Sequence, residues 1–74
     1  MELDKNKKIL IIGLGLIGGS YAKGLSAAGY TVGAIDTCRD SIDYALEYGY
    51  IKSGSTETEK EYVGEFDILI FALY

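Results

Sequence analysis

The sequence predicts an α/β fold: a small parallel sheet in strand order 3-2-1-4, with helices packed on it. Three observations lead there. Uninterrupted apolar runs of strand length alternate with stretches of helical periodicity. Glycine closes most of these segments and proline is absent from the chain, which fits a compact unit with short connections. The succession strand, helix, strand, helix, strand, short helix, strand is the alternation that right-handed crossovers turn into a parallel sheet.

The first strand is "KKILIIG", residues 7–13, rich in β-branched residues and ended by glycine. Helical spacing starts at Ile17. Ile17, Gly18, Tyr21, Ala22, Leu25 and Ala28 fall on one arc, Gly19, Lys23 and Ser26 fall opposite, and Gly29 supplies the stop. "YTVGAID", residues 30–36, reads as a second strand ending in an acid; Gly33 within it marks a close approach of another backbone or a ligand. From Asp40 to Tyr48 a second helix places Ile42, Ala45 and Leu46 on one face and Asp43 and Glu47 on the other, before Gly49. "YIKSGS" gives a weak third strand, "STETEKEYVG" a short surface helix, and "FDILIFALY" a final buried strand.

Composition narrows the function. A chain of 74 residues makes one small domain, burying only about 60% of its unfolded surface. Seven basic against eleven acidic residues leave a net charge of −4, with no basic footprint for nucleic acid or an anionic membrane. One cysteine, Cys38, excludes an internal disulfide, and no Cys/His cluster offers a metal site. The chain has no histidine, hence no residue that titrates near neutrality unperturbed. Lysines followed by a short apolar run superficially suggest a secretory signal, but no small-residue cleavage site follows. No stretch approaches the roughly 20 apolar residues of a membrane span, so a cytoplasmic location is expected.

The chemistry concentrates in "GLGLIGGS", residues 13–20, where Gly13, Gly15 and Gly18 fit G-x-G-x-x-G between a strand and a helix. The first glycine permits the tight turn, the second lets a pyrophosphate approach the backbone, and the third lets the helix pack closely on the sheet. The free N–H groups and dipole of the helix start then bind the phosphates without a basic side chain, Leu16 and Ile17 contributing backbone contacts.

Asp36 closes the second strand, 18 residues after Gly18. A carboxylate there accepts hydrogen bonds from an adenosine ribose and repels a 2′-phosphate, favouring NAD over NADP. A capping role toward the following helix is the alternative. Arg39 leaves NADP open, because a guanidinium pairs with phosphate or stacks on adenine. Cys38 sits where a helix start lowers a thiol pKa, though a small residue near a cap is the simpler account. Tyr44 and Tyr48, at i and i+4, are expected to cover core edges, and the acids from Glu57 to Glu65 form a solvated face.

"ILIIGLGLIGGSYAKGL", "VGAID" and "FDILIFAL" resemble the N-terminal nucleotide-binding domain of prephenate dehydrogenases, which are similar in turn to arogenate dehydrogenases. "DSIDYALEYGYIKSGS" resembles the same family's second helix and following strand. The resemblance runs from about Lys7 to Leu73 and implies a Rossmann-type domain. It further implies an enzyme that oxidatively decarboxylates prephenate to 4-hydroxyphenylpyruvate, passing hydride to NAD, on the route to tyrosine. Carried over by position, Gly13, Gly15 and Gly18 hold the pyrophosphate with the backbone at Leu16 and Ile17. Asp36 binds the ribose, and Ala72 lies near the nicotinamide. The family usually follows its fourth strand with a proline-containing turn, where this chain has Tyr74.

Members of the family also continue with two more strands and a helical domain carrying the catalytic histidine and substrate-binding arginines. Residues 1–74 are therefore expected to be a partial NAD(P)-binding domain with no catalytic residue and no dehydrogenase activity of its own. The fourth strand is expected to be an open apolar edge through which copies associate. A hydroxyacid or 6-phosphogluconate-type dehydrogenase shares strand, loop and acid and is the runner-up. A free-standing cofactor-binding module and a non-binding remnant are the alternatives outside enzymology.

Overall fold

Lys8–Ile12 forms β1, whose continuous apolar sequence suits the centre of the sheet: Ile9, Leu10 and Ile11 are fully buried. The computed structural model describes residues 6–72, with Leu16 and Ile17 described through their backbone alone. After β1 come α1 (Leu16–Ala27), β2 (Thr31–Ile35), α2 (Arg39–Glu47), β3 (Ser53–Ser55), α3 (Lys60–Val63) and β4 (Ile68–Phe71). All four strands are parallel and lie in the order β3-β2-β1-β4, as the alternation predicts.

The pairing register sorts side chains onto two faces. Ile11 aligns with Ala34 and Ile70, and this face packs with Ala22 of α1 and Ile42 and Ala45 of α2 into the main core. Leu10 aligns with Gly33 and Leu69 on the opposite face. There a side chain on Gly33 would strike the Phe66 ring and come within 2.8 Å of the Tyr62 hydroxyl. The close approach expected at Gly33 is thus made by two aromatic side chains, not by backbone or ligand. Tyr62 is fixed in turn by a 2.7 Å hydrogen bond to the Ser53 hydroxyl.

Both long helices stop where glycine predicts. Gly29 and Gly49 adopt φ of 97° and 74°, and the following residues close six-residue rings: Tyr30 N–H donates to Leu25 O, and Tyr50 N–H to Ala45 O. The Ser26 hydroxyl donates to Gly49 O at 2.8 Å, linking the two helix ends.

Three expectations about packing need correction. Tyr21 is 51% exposed and Ala28 is exposed. Among the described side chains of the predicted arc, Gly18, Ala22 and Leu25 face the sheet while Tyr21 and Ala28 fall on the shoulder; the Ile17 side chain lies outside the described residues. Tyr44, Tyr48 and Leu46 are likewise exposed, while Ile42 and Ala45 alone make the buried seam of α2. β4 is not buried on both faces. Ile68 and Ile70 are half-buried, but Leu69 and Phe71 are 42% and 66% exposed, because Tyr62 and Phe66 cover β2 and leave this edge open. The expected continuation of the strand through Leu73 and Tyr74 lies outside the described residues.

Candidate functional site

The carboxyl ends of β1 and β2 and the first turns of α1 and α2 meet at one rim of the sheet. At Gly13 the chain leaves β1 with φ of 98°, a conformation that favours glycine. Its N–H donates to Ile35 O at 2.8 Å, which keeps the bend against β2. Leu14 then turns inward to a buried position, and Gly15 becomes the N-cap of α1 with no side chain to cap the helix. The first turn of α1 contains no acidic residue of its own, so no side chain within that turn offsets the positive end of its dipole.

Gly18 holds this bend tight. A Cβ there would overlap the carbonyl oxygen of Gly13 and stand 3.2 Å from the Ala72 Cβ. Gly13, Gly18 and Ala72 are thus brought together, and Ala72 N–H extends the β1–β4 ladder by bonding Ile12 O at 2.9 Å. Helix, bend and the end of β4 form one tightly packed unit.

Asp36 is tied into the same unit. Its Oδ2 accepts the Leu14 N–H at 2.6 Å, and its Oδ1 accepts the Cys38 N–H at 2.8 Å. The second bond is an Asx turn that shapes the entry to α2, so the capping alternative describes part of what the residue does. An ionised carboxylate offers about four acceptor positions. With two occupied, half-buried Asp36 retains capacity for ribose hydroxyls, and both existing bonds fix its orientation.

Arg39 is engaged elsewhere. Its Nε lies 3.2 Å from Asp43 Oδ1, one turn along α2, and the two side chains are 64% and 58% exposed. As an i, i+4 pair this partner is legible in the sequence, where Asp43 falls on the polar face of the helix. Cys38 is exposed, and its thiol is held below the usual cysteine value, chiefly by a hydrogen bond from the Ser41 side chain. Between the N-terminal halves of α1 and α2 lies an open hollow of about 650 Å³, flanked by Lys23, Ser41, Tyr44 and Tyr50 and bounded at one end by Leu14 and Gly15. Tertiary placement created it, and no sequence motif announces it. Among the described residues no group of His, Cys, Asp or Glu could hold a metal, and no helix is long and apolar enough to cross a membrane.

The rim is suited to binding. It presents backbone donors for an anion, a fixed carboxylate for hydroxyl groups, and glycine clearance where a diphosphate would lie against the chain. Those features fit a dinucleotide.

No family model matches the chain. Among solved structures it is similar to a prephenate dehydrogenase from A. aeolicus, determined in complex with hydroxyphenyl propionate and NAD+. Identity is 31% and the TM-score 0.77, over 88% of this chain and 23% of that one. It is also similar to a myo-inositol 2-dehydrogenase from Lactobacillus plantarum, at 19% identity and a TM-score of 0.76, over 92% and 21% of the two chains. The second likeness concerns the fold alone. This chain spans less than a quarter of the length of either. The architecture is therefore that of a Rossmann-like dehydrogenase domain.

Proposed function

We propose that this chain is the nucleotide-binding portion of an NAD-dependent prephenate dehydrogenase, a cytoplasmic enzyme of tyrosine biosynthesis. The observation that carries the reading is the hydrogen bond from the Leu14 N–H to Asp36. It unites the phosphate-sized bend and the ribose-binding carboxylate into one rigid receptor at the sheet rim, and the 31% identity to an NAD+ complex supports it.

Gly13 and Gly15 make room for the diphosphate. The backbone N–H groups of Leu16, Ile17 and Gly18 face it from the start of α1, and Asp36 receives the adenosine ribose hydroxyls. Ala72, beside Gly18, marks the direction of the nicotinamide half. Bound NAD supplies the hydride acceptor. The chain contributes position and charge, and the described residues offer no second wall to exclude water around the nicotinamide. Cofactor binding without turnover is the expected behaviour of these 74 residues.

Calorimetric titration of the folded chain with ADP-ribose, NAD and NADP tests this. ADP-ribose and NAD bind, NADP binds more weakly, and Asp36→Ala weakens NAD about tenfold, the loss of one or two hydrogen bonds to a charged acceptor. A folded sample that ignores ADP-ribose at millimolar concentration refutes the reading.

The same reading includes self-association along β4. The only strand neighbour of β4 among the described residues is β1, and Ile68–Phe71 carries no charge. A twofold axis perpendicular to the sheet at Ile70 would pair β4 antiparallel with its copy and keep each face on its own side. It would set Leu69 of one copy against Phe71 of the other, joining the two exposed apolar side chains of this strand.

A further inference from the structure

Arg39 is the only lysine or arginine between Lys23 and Lys52, and it stands three residues beyond Asp36. Its position does little for the stability of α2. As the first residue of the helix it places a cation at the positive end of the dipole, and an Arg-to-Asp pair running in the N-to-C direction is the weaker orientation of such pairs. The pairing with Asp43 at 3.2 Å nonetheless draws the guanidinium along α2.

Asp36, by contrast, is held at both oxygens, by the Leu14 and Cys38 N–H groups, so it cannot turn aside without leaving those donors unpaired. The rim thus combines a fixed anion with the cation nearest to it in sequence engaged by Asp43. We propose that Asp43 is a specificity-determining residue: by pairing with Arg39 it withholds a guanidinium three residues beyond Asp36 from a 2′-phosphate, and so reinforces the preference for the unphosphorylated ribose set by Asp36. This rests on the dinucleotide reading above and adds a residue that touches no cofactor atom. Asp43 acts as a positioning residue through Arg39. Because exposed ion pairs are weak, its release changes affinity by no more than about fivefold.

The test compares ADP with 2′,5′-ADP on wild type, Asp43→Asn and the double variant Arg39→Ala/Asp43→Asn, at low and high salt. Asp43→Asn improves binding of 2′,5′-ADP about three- to fivefold and leaves ADP affinity and the melting temperature unchanged. The gain disappears in the double variant and at about 1 M salt, where screening acts within ~3 Å. Adding Asp36→Ser to Asp43→Asn enlarges the preference for 2′,5′-ADP, since a serine hydroxyl still closes the turn to Cys38. An unchanged ratio of the two affinities in Asp43→Asn, or an equal change in both, overturns the proposal while leaving nucleotide binding intact. Failure of ADP to bind any folded variant removes the dinucleotide reading and this inference with it.

Discussion

Replacing Gly18 by alanine sets two opposing effects against each other. Within a helix the exchange gains about 1 kcal/mol from reduced backbone freedom in the unfolded chain. At this position the new methyl overlaps the Gly13 carbonyl oxygen and lies 3.2 Å from the Ala72 Cβ. The obstacle is backbone in a bend held by the Gly13–Ile35 hydrogen bond, so relief requires α1 to move off the sheet. Overpacking of this kind costs about 3 kcal/mol at the upper end of its usual range. The net loss of about 2 kcal/mol lowers the melting temperature by roughly 10 °C for a domain of this size. Gly24, in the same helix, is the control. It is exposed with nothing within 4 Å of an added Cβ, so Gly24→Ala keeps the propensity gain alone and raises the melting temperature by about 4–6 °C. Circular dichroism melts of the two variants, followed by ADP titration, measure both. Gly18→Ala melting at or above wild type would refute the steric argument, as would equal shifts of the same sign in both variants.

Three further outcomes are expected. Tyr62→Phe keeps the ring against Gly33 but deletes the bond to Ser53, lowering stability in urea by about 1 kcal/mol. Cys38 reacts with iodoacetamide faster than an unperturbed thiol at neutral pH. Ser41→Ala removes the principal hydrogen bond that lowers its pKa, slowing the reaction and moving the midpoint of its pH profile upward. Sedimentation velocity shows a concentration-dependent mass for wild type, which Leu69→Lys abolishes by placing charge on the open β4 edge. A wild-type monomer at high concentration would eliminate the pairing.

Much of the fold was legible because its signals are local. "ILII" has no polar residue and is central in the sheet, and Gly29 and Gly49 end their helices through their own backbone geometry. The glycine bend was readable for the same reason, since Gly13 and Gly18 serve a contact only five residues apart. What escaped depends on partners distant in sequence. That Leu14 offers its N–H to Asp36, 22 residues on, follows from the alignment of β1 with β2 and from no residue type. That Phe66 and Tyr62 fill the space over Gly33 required knowing on which face α3 lies. The exposure of Leu69 and Phe71 follows from which neighbours cover β4, so an apolar run looked the same for a covered strand and an open one.

Tyr44, Tyr48 and Tyr50 have ring centroids 4.5 to 6.2 Å apart, and Lys23 Nζ lies 5.9 Å from the Tyr50 centroid. Since the chain contains no tryptophan, its ultraviolet emission comes from its seven tyrosines. The junction between α2 and β3 therefore contributes three of the chain's seven emitters. Replacing Tyr44, Tyr48 and Tyr50 together by phenylalanine isolates the share of the emission that this cluster supplies.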